Sequence, residues 1–94
     1  MRNIDENIHS AFYGNQPYAE GNTTLTFIDG KKMVLLHGNC IYKENNGIAQ
    51  FTLAGWDTNV TRNRLRALGI DLERKGGKTL YKGAEIESDR WYRI

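Results

Sequence analysis

Apolar positions along the chain change period, and each change marks an element. Ile4, Ile8 and Phe12 recur at i, i+4 and i+8, which puts all three on one helix face. Asn3, with Glu6 three residues later, resembles a capped helix start, and Gly14 is placed to end the helix. So short a helix needs docking to persist. Asn15 to Gly21, with Pro17 inside it, reads as loop.

Period two takes over at Thr24-Leu25-Thr26-Phe27, and Asp29-Gly30 suits a tight type I′ turn. Met33 to Tyr42 then forms a longer run that is apolar on both faces. Val34, Leu36 and Cys40 line one side, and Met33, Leu35 and Ile41 line the other. Such a strand belongs in the middle of a sheet, covered on both sides. Asn45-Asn46-Gly47 supplies the next turn, after which Ala49, Phe51 and Leu53 point one way and Gln50 and Thr52 the other.

A helix follows Gly55-Trp56. Asp57 or Thr58 can cap it, since either side-chain oxygen accepts from a first-turn amide. Thr61, Leu65 and Leu68 share its inner face, Gly69 suits the left-handed residue after it, and Ile70 can pack back on Leu65. Ile70 to Lys82 reads as a hairpin turning at Gly76-Gly77, with Leu72 opposite Tyr81 and Asp71 opposite Lys82. Trp91 to Ile94 forms a last strand. The pattern predicts one α+β domain with a mostly antiparallel sheet: helix and loop over 1–21, a three-stranded meander over 22–54, a helix over 57–69, and a hairpin with a final strand over 70–94.

Composition limits this picture. Leu, Ile, Val and Phe make up 21 of 94 residues, so the core is thin, and a partner or a second copy would add burial. No apolar run reaches the ~20 residues that cross a bilayer. The single Cys40 excludes an intrachain disulfide and fits a reducing, cytoplasmic setting. Net charge is only +2, yet residues 58–82 hold seven bases against two acids.

Those cations are one candidate site. Arg62 and Arg66 stack at i, i+4 on what reads as an exposed helix flank, with Arg64 on the other flank, and the hairpin tip adds Arg74, Lys75 and Lys78. A basic helix and hairpin of this kind suit contact with DNA or RNA phosphates. Tyr13, Tyr18 and Trp56, if exposed, suit a protein interface instead. For Trp56 the commoner alternative is that it plugs the core. His37 and Cys40, three apart on a predicted strand, face opposite sides of it, so they form neither a metal pair nor a Cys–His nucleophile. The glycines spell no phosphate loop. No catalytic residue, metal or cofactor is expected.

The block Leu53-Ala54-Gly55-Trp56-Asp57-Thr58-Asn59-Val60-Thr61-Arg62-Asn63-Arg64-Leu65-Arg66-Ala67-Leu68 resembles small accessory proteins of tailed bacteriophages. His37-Gly38-Asn39, Arg74-Lys75-Gly76 and Leu80-Tyr81-Lys82-Gly83 are similar to that group too, so the resemblance covers roughly residues 33–94. Arg66 stands where the group suggests a polar uncharged residue. The resemblance implies a phage protein made in the host's bacterial cytoplasm, and it implies no activity and no functional residues. The expectation is a non-enzymatic binding module acting on a host or phage macromolecule. Nucleic-acid binding through the basic segment, and an enzyme or small-ligand binder with an unrecognised pocket, stand as alternatives.

Overall fold

In the computed structural model, which describes residues 4–94, two-residue turns fold the first half of the chain into a continuous antiparallel ribbon. Strands β1 (Tyr18–Glu20), β2 (Thr23–Ile28), β3 (Lys31–Leu36), β4 (Asn39–Asn45) and β5 (Ile48–Phe51) pair in chain order. β9 (Tyr92–Arg93) closes the far edge beside β5, giving six strands. Helices α1 (Ile4–Tyr13) and α2 (Asn59–Ala67), and a second sheet of β6 (Leu72–Lys75), β7 (Lys78–Tyr81) and β8 (Ala84–Glu85), complete the α+β domain. The cap expected of Asn3 lies outside the described residues.

The meander has five strands where three were expected, and two local features explain the difference. The run from Met33 to Tyr42 is broken by His37 and Gly38, which take left-handed φ values of 52° and 80°. These are the signs a type I′ turn requires at both central positions, and histidine tolerates that region better than most residues. Tyr18–Glu20, expected to be loop, forms an edge strand that pairs with Thr23–Leu25. α1 ends at Tyr13, just before Gly14 as expected, and the left-handed residue after it is Asn15, at φ 53°, with Gln16 donating to the Ala11 carbonyl at 3.0 Å.

Register then decides which side chains are buried. Leu25 pairs with Val34 and Val34 with Tyr42 on the side facing α1, as shown by the 5.0 Å contact between the Phe12 and Tyr42 rings. Between Val34 and Leu35 the register shifts, leaving Ile41 as the extra residue of a β-bulge. The bulge turns Ile41 inward beside Tyr42, where it is 1% exposed, and leaves Cys40 opposite Leu35 on the outer side. The inner assignment of Cys40 and the outer one of Ile41 are therefore both reversed.

The core lies between this sheet face and the helices. Ile8 and Phe12 of α1, and Leu65 with the nearby Leu68 and Ile70 of α2, close over Leu25, Val34, Leu36, Ile41 and Phe51. Phe51 is fully buried and meets the Tyr81 ring at 4.9 Å, which ties the second sheet to the first. α2 ends as its sequence predicts: Gly69 donates to the Arg66 carbonyl and Ile70 to that of Leu65, with Gly69 at φ 90°. Gly76-Gly77 turns β6 into β7 with Leu72 opposite Tyr81. The molecule measures 36 × 35 × 20 Å, so it is a slab about two layers thick. Among the described residues, both helices and the second sheet lie on one side of the six-stranded sheet, and no buried strand residue of that sheet points to the other.

Candidate functional site

The segment joining β5 to α2 is built to push a side chain outward. Leu53 is buried, and Ala54 and Gly55 then take φ 54° and 83°, which reverses the chain. The Trp56 amide donates back to the Leu53 carbonyl at 2.8 Å, and the Gly55 amide donates to the Ser88 carbonyl at 2.7 Å. The tight reversal leaves Trp56 61% exposed, so it does not plug the core. Thr58, rather than Asp57, caps α2: its hydroxyl accepts from the Thr61 amide at 3.2 Å. Capping fixes the first turn of α2 with Val60 facing out, 43% exposed, on the same side as Trp56.

Between this turn and the β3–β4 hairpin lies a pocket of about 450 Å³. Its floor comes from Leu36, Ile41 and Leu53, its rim from Trp56, Val60 and the His37 turn, with Thr58 and Thr61 at the helix end. The size fits one large side chain or a small organic molecule. His37 is the titratable residue among the described lining, and its Nε2 lies 3.4 Å from the Asn22 amide.

Beside the pocket, Asp57 gathers the cations that the sequence suggested were free. Arg62 is 6% exposed, pairs with the Asp57 carboxylate, and donates to Asn59 Oδ1 at 2.5 Å. The expected exposed flank through Arg62 is therefore corrected: its guanidinium turns back under the start of α2. Arg74 reaches the other Asp57 oxygen at 3.0 Å, and the Thr79 hydroxyl donates to the same carboxylate at 2.8 Å. Partial burial pushes the Asp57 carboxyl up. The Thr79 and Arg62 hydrogen bonds, with the charges of Arg62 and Arg74, outweigh it and hold the group below the usual carboxylate range.

Arg64, 8% exposed, serves the opposite side of the helix. It pairs with Asp5 of α1, and its Nε donates to Thr23 Oγ1 at 2.8 Å. Arg66 is exposed and bonds the Leu72 carbonyl and Asn63, both at 3.0 Å. Lys75 and Lys78 are exposed at the hairpin tip, and Lys78 lies 3.8 Å from Glu85. The structure thus brings Arg62 and Arg74 together on one carboxylate and leaves Lys75 and Lys78 on the surface.

The aromatic candidates are separated. Tyr13 is 57% exposed near the other end of α2, where its hydroxyl donates to the Leu68 carbonyl at 3.3 Å. Tyr18 is half-buried and donates to Glu20. Neither lines the Trp56 pocket. His37 occupies its turn, Cys40 is on the outer sheet face and donates to the Tyr42 carbonyl at 3.2 Å, and His9 Nδ1 lies 2.9 Å from the Ala67 carbonyl. Sequence reasoning missed Leu36, Ile41 and Val60 as site residues. For Val60 the helix period held the signal, because it falls outside the Thr61, Leu65, Leu68 stripe.

A two-layer α+β domain with an apolar pocket at a helix start is the class of protein that fold and site define. The chain belongs to the Kyanoviridae Gp96 protein family, whose model matches residues 1–86. This is a protein family of tailed cyanophages, in keeping with the phage resemblance of the sequence, and the match spans every element from α1 to β8. No curated protein and no solved structure matches the chain. Among the described residues, no helix is long and apolar enough to cross a membrane.

Proposed function

We propose that this phage protein is a non-enzymatic binding module that seats an apolar side chain of a host or phage protein in the Trp56 pocket. The observation that carries the reading is the 61% exposure of Trp56 at the rim of that pocket. An indole left in water beside an apolar floor forgoes burial worth about 25 cal/mol per Å². Tryptophan is also among the residues that dominate binding energy at protein interfaces. Val60, exposed across the opening, adds to the same surface. The apolar floor of Leu36, Ile41 and Leu53 suits an apolar side chain of the partner.

The test is capture from infected host cells with immobilised protein. Wild type retains one partner in stoichiometric amount. Trp56→Ala and Val60→Glu lose it by tenfold or more while their thermal unfolding stays near wild type. Capture that is equal for all three proteins refutes the pocket as the contact.

A further inference from the structure

The outer face of the six-stranded sheet is uncovered among the described residues, and its charge is of one sign. Register aligns Thr26, Met33, Lys43, Gln50 and Arg93 in one row across five strands, and the next row sets Lys31 beside Ile28. Glu20 and Glu44, the carboxylates of the first five strands, fall on the helix side: Glu20 is two residues along from Tyr18, opposite Leu25, and Glu44 is opposite Lys32. Lys31, Lys43 and Arg93 therefore meet no Asp or Glu among the strand residues of their own face. This segregation is the reverse of that around α2, where Asp57 and Asp5 neutralise the arginines.

The face also carries an aromatic platform. Trp91, two residues before Arg93, is 37% exposed, and Lys43 Nζ sits 4.0 Å from its ring centroid. Ring and ammonium are thus held together at the surface, with Arg93 in the same cross-strand row as Lys43. Ile28 and Ile48, 51% and 46% exposed, lie further along the same face.

We infer that this sheet face binds single-stranded nucleic acid, with phosphates on Lys31, Lys43 and Arg93 and a base stacked on Trp91. Unpaired cations select an anionic partner. An open antiparallel sheet with an aromatic among cations is a surface on which unstacked bases lie flat while the backbone tracks the charges. An acidic peptide would use the cations and leave the ring idle, and a duplex keeps its bases stacked away from it. The site lies across the sheet from the Trp56 pocket, so the two readings fail independently.

The experiment is binding of a fluorescent oligothymidylate and its RNA counterpart to the full chain, followed by anisotropy across a salt series. Wild type binds at low salt, and its affinity falls log-linearly with salt. Lys43→Ala with Arg93→Ala lowers the slope by roughly 1.4, about 0.7 for each lost phosphate contact. Trp91→Ala weakens binding about tenfold. Lys75→Ala with Lys78→Ala, at the hairpin tip, leaves it unchanged. Amide shifts of the wild-type protein on titration concentrate at Thr26, Met33, Lys43 and Gln50, which covers the case of a variant that folds poorly. The inference is overturned by no oligonucleotide binding at low salt or by a response that follows the hairpin pair. It is equally overturned by a polyglutamate peptide that binds as tightly without dependence on Trp91.

Discussion

Replacing Asp57 with Asn removes one charge and almost no volume, so it isolates what the carboxylate does for Arg62. In the native protein Arg62 is 6% exposed and holds two acceptors, Asp57 and Asn59. Stripping the counter-charge from a fully buried pair costs about 3–5 kcal/mol. The Asp57 side chain keeps 31% of its exposure, so water relieves part of that cost, and Asn59 still accepts from Arg62. Arg74, 40% exposed, adds little. About 2 kcal/mol is the expected loss at pH 7, or a Tm lower by roughly 8–16 °C for a domain of this size. The pH dependence follows from the depressed Asp57 carboxyl. Its contribution is fully present above the ordinary carboxyl value of about 4 and is lost as pH falls through the lower native value. Urea unfolding of both proteins from pH 7 to pH 2.5 should show a gap that is constant at neutral pH and closes below about pH 4. A gap under about 0.5 kcal/mol at pH 7, or one undiminished at pH 2.5, would refute the argument.

Other substitutions probe the frame around the site. Gly69→Ala meets both a left-handed φ of 90° and the Tyr13 hydroxyl, which occupies the space of the new methyl, so thermal unfolding should report a loss of about 2 kcal/mol. Phe51→Ala, emptying a fully buried site between Tyr81 and Tyr92, should cost about 3–5 kcal/mol by urea unfolding and loosen the second sheet first. Burial pushes the Cys40 thiol up, ahead of the smaller opposing effects of the Tyr42 carbonyl and Lys43. The midpoint of its alkylation-rate profile against pH in the folded protein should therefore lie above that of free cysteine measured alongside, whereas a midpoint at or below the free one would contradict the burial.

Much of the frame was legible because local chemistry and fold agree. Asp29-Gly30, Asn46-Gly47 and Gly76-Gly77 carry residues that tolerate left-handed backbone, and each turns where expected. The Thr61, Leu65, Leu68 stripe and the Gly69 ending of α2 follow from helix period and backbone sterics alone. His37-Gly38 was concealed because the flanking residues are apolar on both faces, so periodicity ran through a turn without a break. The bulge at Ile41 has no sequence mark, and one extra residue exchanges the sides taken by Ile41 and Cys40.

The site was less legible for a different reason. Arginines read as a solvated flank until their partners are known, and Asp5 lies 59 residues from Arg64. Their long stems lie along the core while the heads find carboxylates at its edge. Of the two carboxylates that pair with these arginines, only Asp57, five residues before Arg62, was within local reach. Exposure of Trp56 depends on the paired left-handed residues Ala54 and Gly55, and alanine at such a position gives no warning.

Photo-cross-linking tests the account's central claim most directly. Benzoylphenylalanine placed at Trp56, with the same group at Tyr13 as the comparison, is irradiated in infected host cells. The account predicts a discrete protein adduct from position 56 and none from position 13, since both residues are exposed but only one borders the pocket. An adduct from position 13 alone, or from neither position, would contradict it.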